Sequence, residues 1–302
     1  MIIAKVIRSL VFFFLINSYC YAQSGRLENE FKLAIPNNEV NELWNFITEE
    51  FAVPKLDIGD QQLNGEQSVE IFKDTYFDNS ALELMNLEIG LRFRKRYKDD
   101  VLLKELIQLK TPYSADKIVR NELKYNVSKE QKKSKLKNRH PLFKLLNLSD
   151  IKKLKEDLAS FKINTSELKK SVQLNQKRSR VYISDTSGQS VATITLDEVS
   201  NASFPYQKYA ELELELNEIR YTNASIEEQK KMEACNTLIQ NKLMNKFKNL
   251  TIDQRPKYNK MMELIEKDFL SSIQKNWVWA IFAFIVLLAI MHYLKYNLFE
   301  SH

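Results

Sequence analysis

Charged residues recur at every second position in one stretch after another, and this period of two constrains the fold more than any other feature of the chain. In "RLENEFKL" the charges are Glu28, Glu30 and Lys32, with Leu27, Phe31 and Leu33 between them. Arg92, Arg94 and Arg96 alternate in "GLRFRKRY", Arg120, Glu122 and Lys124 in "VRNELKY", Arg178 and Arg180 in "QKRSRVYI", and Glu211, Glu213 and Glu215 in "YAELELELN". Lys110 closes "LIQLK", and Asp197 sits in "ITLDEV". Alternate side chains of a strand share a face, so each segment reads as a strand with one charged and one apolar side.

A single strand of this kind is explained by charges in water. Five in one sheet are harder to explain that way and leave open the opposite arrangement, in which the apolar faces pack under helices and the charges point into an enclosed interior. Charges so enclosed need partners or a ligand, because an unpaired buried charge is very costly. Strand-like runs fall at 27–34, 68–77, 90–97, 103–110, 117–127, 172–183, 191–199 and 209–218. Helical patterns follow Pro36, fill 141–161 as two helices, cover 225–245, and resume after Pro256. The order predicts an α+β fold, an antiparallel β-barrel or strongly curved sheet of about eight strands with helices inserted between them.

The two ends are of another kind. Residues 1–22 carry Lys5 and Arg8, then "LVFFFLI", then "NSYCYA", the layout of a secretory signal cleaved after Ala22. An uncleaved first segment acting as an anchor is the alternative. "WVWAIFAFIVLLAIMHYL", 277–294, is long and apolar enough to cross a bilayer as a C-terminal transmembrane helix. The chain therefore divides into a signal peptide (1–22), one domain (23–262), a juxtamembrane helix (263–276), the span (277–294) and a short tail (295–302). This places the domain outside the cytoplasm, periplasmic or luminal, on a single-pass membrane protein. Cleavage would leave Cys235 alone, so the mature chain forms no internal disulfide.

Five glycines in 302 residues leave no glycine-rich phosphate loop, and neither a Walker A nor a dinucleotide fingerprint is present. The net charge of +6 suits an anionic partner, although the Lys-rich stretch between 124 and 170 reads mostly as solvated helix faces. No specific nucleic-acid binding is expected. His140 is the one histidine in the domain, so clustered carboxylates would select a hard divalent cation, Mg²⁺ or Mn²⁺ and also Ca²⁺. Arginine and lysine match phosphate oxygens. Acids and bases in one chamber are what metal-assisted phosphoryl chemistry uses.

These segments, in order, resemble the CYTH or triphosphate tunnel metalloenzyme superfamily. "ENEFK" (Glu28 to Lys32) matches its ExExK signature, "TYFDN" its YFD segment and "GLRFRKR" its LR-x-R strand. "LIQLKTP" is similar to its LKT strand, "VRNELKY" to its R-x-E strand, "ITLDEV" and "AELELEL" to its late strands, and "RPKYNK" to its SKY motif. The resemblance implies an eight-stranded tunnel and a metal-dependent hydrolase of inorganic triphosphate or an organic triphosphate ester. A non-catalytic triphosphate or polyanion binder, a polyphosphate polymerase and a nucleotide cyclase stay open. By the same resemblance Glu28, Glu30, Glu211 and Glu213 hold the metal. Glu28, Glu30 and Glu122 are the catalytic carboxylates, and Lys32, Arg92, Arg94, Lys110, Arg120, Arg178, Arg180 and Lys257 bind the phosphates, with Arg120 paired to Glu122 in the wall. Asn217, Pro256 and "SNASFPYQ" depart from the family pattern.

Overall fold

The computed structural model describes residues 26–113, 119–128 and 140–299, with backbone alone at 26–29, 119, 275–276, 278–280, 283 and 292–299. The expected signal peptide and tail end, and residues 114–118 and 129–139, lie outside the described residues.

The strands are β1 (Arg26–Ile35), β2 (Leu56–Ile58), β3 (Gln61–Asp78), β4 (Gly90–Lys98), β5 (Val101–Pro112), β6 (Val119–Asn126), β7 (Lys169–Asp185), β8 (Ser190–Asn201), β9 (Lys208–Leu216) and β10 (Thr251–Ile252). The helices are α1 (Val40–Phe51), α2 (Glu83–Asn86), α3 (Leu148–Ala159), α4 (Glu218–Asn223), α5 (Ile226–Lys246) and α6 (Lys257–Phe299), with a 3₁₀ turn at Phe143–Leu145. All strands join one antiparallel sheet in the order β10–β1–β6–β5–β4–β3–β7–β8–β9, with β2 on β3. The expected α+β class and antiparallel pairing are present, but the plain eight-stranded barrel is corrected to a ten-stranded sheet. Its ends meet at β1 through half-strands, residues 26–29 on β6 and 30–35 on β9, not through full ladders on both edges. The cause is length. β6 overlaps β1 over only four residues, and β10 takes up part of the edge it leaves, at Leu33 and Ala34.

The apolar positions face outward into helices. Val40, Leu43, Ile47 and Phe51 recur at helical spacing on α1 and pack with Met232, Cys235, Ile239 and Leu243 of α5 over Leu33, Val181, Ile194 and Leu212 of the sheet. Each such side chain removed from water contributes about 1.5–3 kcal/mol. On the other flank Leu154 and Leu158 of α3 cover Ile107, Leu109, Leu123 and Tyr125. Asn147 caps α3 by accepting a 2.8 Å bond from the Asp150 amide, which fixes where that helix starts. Where two helices are expected in 141–161, the first is only the 3₁₀ turn.

A third apolar cluster joins Tyr76, Val172, Leu174 and Val199 of the sheet to Tyr258 and Met261 from the first turns of α6. The Tyr76 and Tyr258 rings stack at 5.1 Å and 7°. The Tyr258 hydroxyl lies 3.0 Å from Asp78 and 2.7 Å from Ser171. Through Tyr76 this cluster borders the space enclosed by the charged faces, at the end that is its floor.

The juxtamembrane stretch and the expected span belong to one continuous helix, α6. Among the described residues no helix is long and apolar enough to cross a membrane. The run 277–294 falls partly on positions described in backbone alone. Its described members, among them Ile281, Phe282, Phe284, Ile285 and Leu287, are exposed. Cys235 is a free, buried thiol.

Candidate active site and metal centre

The period of two does what the sequence implies: the charged positions of β1, β4, β5, β6, β7 and β9 line one cavity of about 220 Å³. Glu30, Lys32, Arg92, Arg94, Lys110, Arg120, Glu122, Arg178, Arg180, Glu213 and Lys257 all lie in its wall. On β4 and β6 burial falls off from floor to mouth. On β4 the Arg94 side chain is 7% exposed and that of Arg96 38%. On β6 the values are 2% for Glu122 and 40% for Lys124.

Nearest the floor stands an acidic group held by lysines. Asp197, Glu211 and Glu213 offer carboxylate oxygens within 4.8 Å of one another, all buried. Lys257, the first residue of α6, reaches Asp197 at 2.9 Å and Glu213 at 2.7 Å, and also contacts Glu211. Lys260, one turn on, reaches Glu211 at 2.7 Å. Lys32 bridges Glu30 at 2.6 Å and Glu213 at 3.0 Å, and Lys110 meets Glu30 at 2.9 Å. At Glu213 and Lys32 burial works against charge, yet opposite neighbours prevail. Glu213 is held well below the usual carboxylate range by Lys257, Lys32 and Arg178, and Lys32 is raised by Glu213 and Glu30.

Further up the wall the guanidiniums are braced by carboxylates. Arg94 grips Asp74 through two bonds of 2.7 and 2.6 Å, and its Nη2 also donates to Gln176 at 3.2 Å. Arg92 donates to Gln108 at 2.9 Å and to Tyr76 at 3.1 Å. Arg178 forks onto Asp197 and donates to Glu213 at 3.0 Å. Glu70 accepts from both Arg96 and Arg180, at 2.8 Å each. Such bidentate pairs fix the planes of the guanidiniums and leave further N–H groups for a ligand. Asp74 is held below the ordinary range despite burial, because Arg94 and Arg92 stand beside it.

Two partnerships among the described residues differ from expectation, and the Glu28 side chain falls outside them. The backbone of Glu28 pairs with Arg120 in the ladder, but its side chain lies outside those described. Glu30 meets Lys32 and Lys110, while the acidic group near the floor is completed by Asp197, which the sequence reading did not include among the metal ligands. Glu122 is held by Lys124 and Gln108, whereas Arg120 donates to the Glu88 carbonyl. Asp74, Glu70, Gln108 and Lys260 were missed as well. For Asp197 the available signal was register. It lies directly opposite Glu211 across the β8–β9 ladder, an unfavourable like-charge pair unless a cation joins it.

Three buried carboxylates without other ligand types suit a hard divalent cation such as Mg²⁺, Mn²⁺ or Ca²⁺, so the donor set fits the metal the resemblance implies. Among the described residues eleven cations line the cavity against four carboxylates. Even with Glu70, Asp74, Asp197 and Glu211 added from behind the wall, positive charge is in excess, which suits a polyanion.

The CYTH domain family model matches residues 27–236. Among solved structures, HpAC1 from Hippeastrum, described as having a dominant triphosphatase activity, is 17% identical with a TM-score of 0.51. The match covers 78% of this chain and 95% of that one. A candidate adenylate cyclase from Bacillus halodurans is 18% identical over 78% of this chain and 97% of its own, with a TM-score of 0.47. At these identities the likeness to HpAC1 concerns the fold alone. No curated protein matches the chain.

Proposed function

The chain belongs to the CYTH domain family, and we propose that it is a divalent-metal-dependent hydrolase of triphosphates, inorganic or ester-linked. The observation that carries this reading is one cavity in which buried carboxylates at the floor face an excess of braced guanidiniums and ammoniums. Asp197, Glu211 and Glu213 would hold the cation, and Glu30 stands beside them across Lys32. The bound metal would supply Lewis-acid polarisation and an activated water. Arg92, Arg94, Arg178 and Lys110 bind and orient the phosphates, and their fixed positions stabilise charge that spreads over phosphoryl oxygens as the bond breaks. Support for hydrolysis comes also from the activity described for HpAC1.

The test is phosphate release by the purified full chain from tripolyphosphate, thiamine triphosphate and ATP with Mg²⁺ or Mn²⁺. Turnover is expected, and Glu213→Gln should lower it by about 10²-fold or more. Tight binding without turnover would instead identify a sensor, and a cyclic or lengthened product would identify a cyclase or polymerase. The same reading includes localisation. The leader-like first 22 residues and the apolar run 277–294 support a domain held outside the cytoplasm by a C-terminal membrane anchor.

A further inference from the structure

Among the described residues four cations reach the carboxylates of Asp197, Glu211 and Glu213, and one of them is unlike the rest. Arg178 lies over the Phe72 ring at 5.4 Å, Lys32 also holds Glu30 at 2.6 Å, and Lys260 also donates to the Asp253 carbonyl at 3.1 Å, in a separate pocket behind the wall. Each of these three is anchored outside the acidic group. Lys257 is not: its ammonium touches Asp197, Glu211 and Glu213 and, among the described residues, bonds to nothing else.

That ammonium stands at the point the three carboxylates share. Their oxygens lie within 4.8 Å of one another, and the ammonium is 2.7 Å from Glu213 and 2.9 Å from Asp197. A divalent cation held by all three would sit about 2.0–2.6 Å from each, which is the same place. Two cations so close repel strongly, so the carboxylates take one or the other. The backbone of Lys257 is fixed, because the Tyr209 hydroxyl donates to its carbonyl at 3.0 Å and the next residue, Tyr258, is tied to Asp78. Its four-carbon stem is flexible and lines the cavity. An ammonium leaving the carboxylates therefore comes out among the groups that face a phosphate.

We propose that the Lys257 ammonium and the divalent cation occupy this point in turn, so that metal and phosphate load the cavity cooperatively. The metal releases Lys257 to the phosphate, and a phosphate that draws Lys257 away opens the carboxylates to the metal. Each ligand then strengthens the other by the same factor. This rests on the metal-dependent reading of the cavity and adds the order of events by which the site fills.

Mn²⁺ binding to the full chain without phosphate, followed by electron paramagnetic resonance of the free ion, is the first test. Lys257→Met should bind Mn²⁺ about tenfold more tightly than the wild type, or better. Lys260→Met removes an ammonium from the same Glu211 without clearing the shared point, and should gain less. Lys257→Gln, which keeps a donor to the carboxylates, carries the same expectation if Lys257→Met does not fold. The second test is calorimetric titration with a methylene-bridged triphosphate, which is not cleaved. With metal chelated, Lys257→Met should bind it nearly as well as the wild type; in excess Mn²⁺ it should bind about fivefold more weakly or worse. Unchanged or weaker Mn²⁺ binding in the Lys257 variants, an equal gain in Lys260→Met, or the same loss of triphosphate affinity with and without metal would overturn the exchange while leaving the metal-dependent reading intact. Failure of Mn²⁺ to bind the wild type and every variant would overturn both.

Discussion

Glu122 shows at the scale of one residue how this cavity keeps its charge. Burial alone would favour the neutral acid, but Lys110 and Lys124 beside it bring its pKa down to about 2. The folded form thus holds a proton less readily than the unfolded chain, whose glutamates titrate near ~4.3. The resulting stabilisation, roughly 3 kcal/mol, is complete above that value and is lost as pH falls toward 2. Urea unfolding followed from pH 7 to pH 2.5 should therefore show a fall in stability that steepens below about pH 4.3, and Glu122→Gln should begin lower and fall less. Glu122 was legible in the sequence because it alternates with Arg120 and Lys124. Asp74 was not, because the alternation around it runs through Phe72 and Tyr76, and its role depends on Arg94, its partner on the neighbouring strand.

At the scale of elements, period-two patterning located the eight main strands, since inward charge and outward leucine or isoleucine leave little choice of face. Strand ends were less legible. β3 and β7 each run beyond their charged core because they pair with one another along most of their length, a contact between segments about a hundred residues apart. β2 and β10, at three and two residues, are too short to show a period. The first turn of α6 was foreseen as a phosphate-binding motif, and it also provides the floor. Tyr258→Ala, which removes a buried ring and two hydroxyl contacts, should cost about 3–5 kcal/mol. Tyr258→Phe should cost only about 1 kcal/mol. Denaturant midpoints measured at constant m-value would separate the two, and near-equal losses would mean that the stack contributes little.

For the whole molecule, α6 is one 43-residue helix that starts at the cavity floor and runs on through the apolar segment, about 65 Å at 1.5 Å per residue. Expressed in membranes, the domain should be shielded from protease added on the cytoplasmic side and degraded once the bilayer is dissolved by detergent. Carbonate washing should leave the chain in the pellet, and release into the wash would rule out the anchor. The floor at the head of this helix has a consequence of its own. Pro256 and Lys257 at the head of α6 line the cavity, and Tyr258 and Met261 pack just behind them; if this helix closes the inner end, a fragment cut loose at the back leaves only after the piece in front has gone. Product order, and the species that slows the next turnover, would then be set by the helix that closes the back wall.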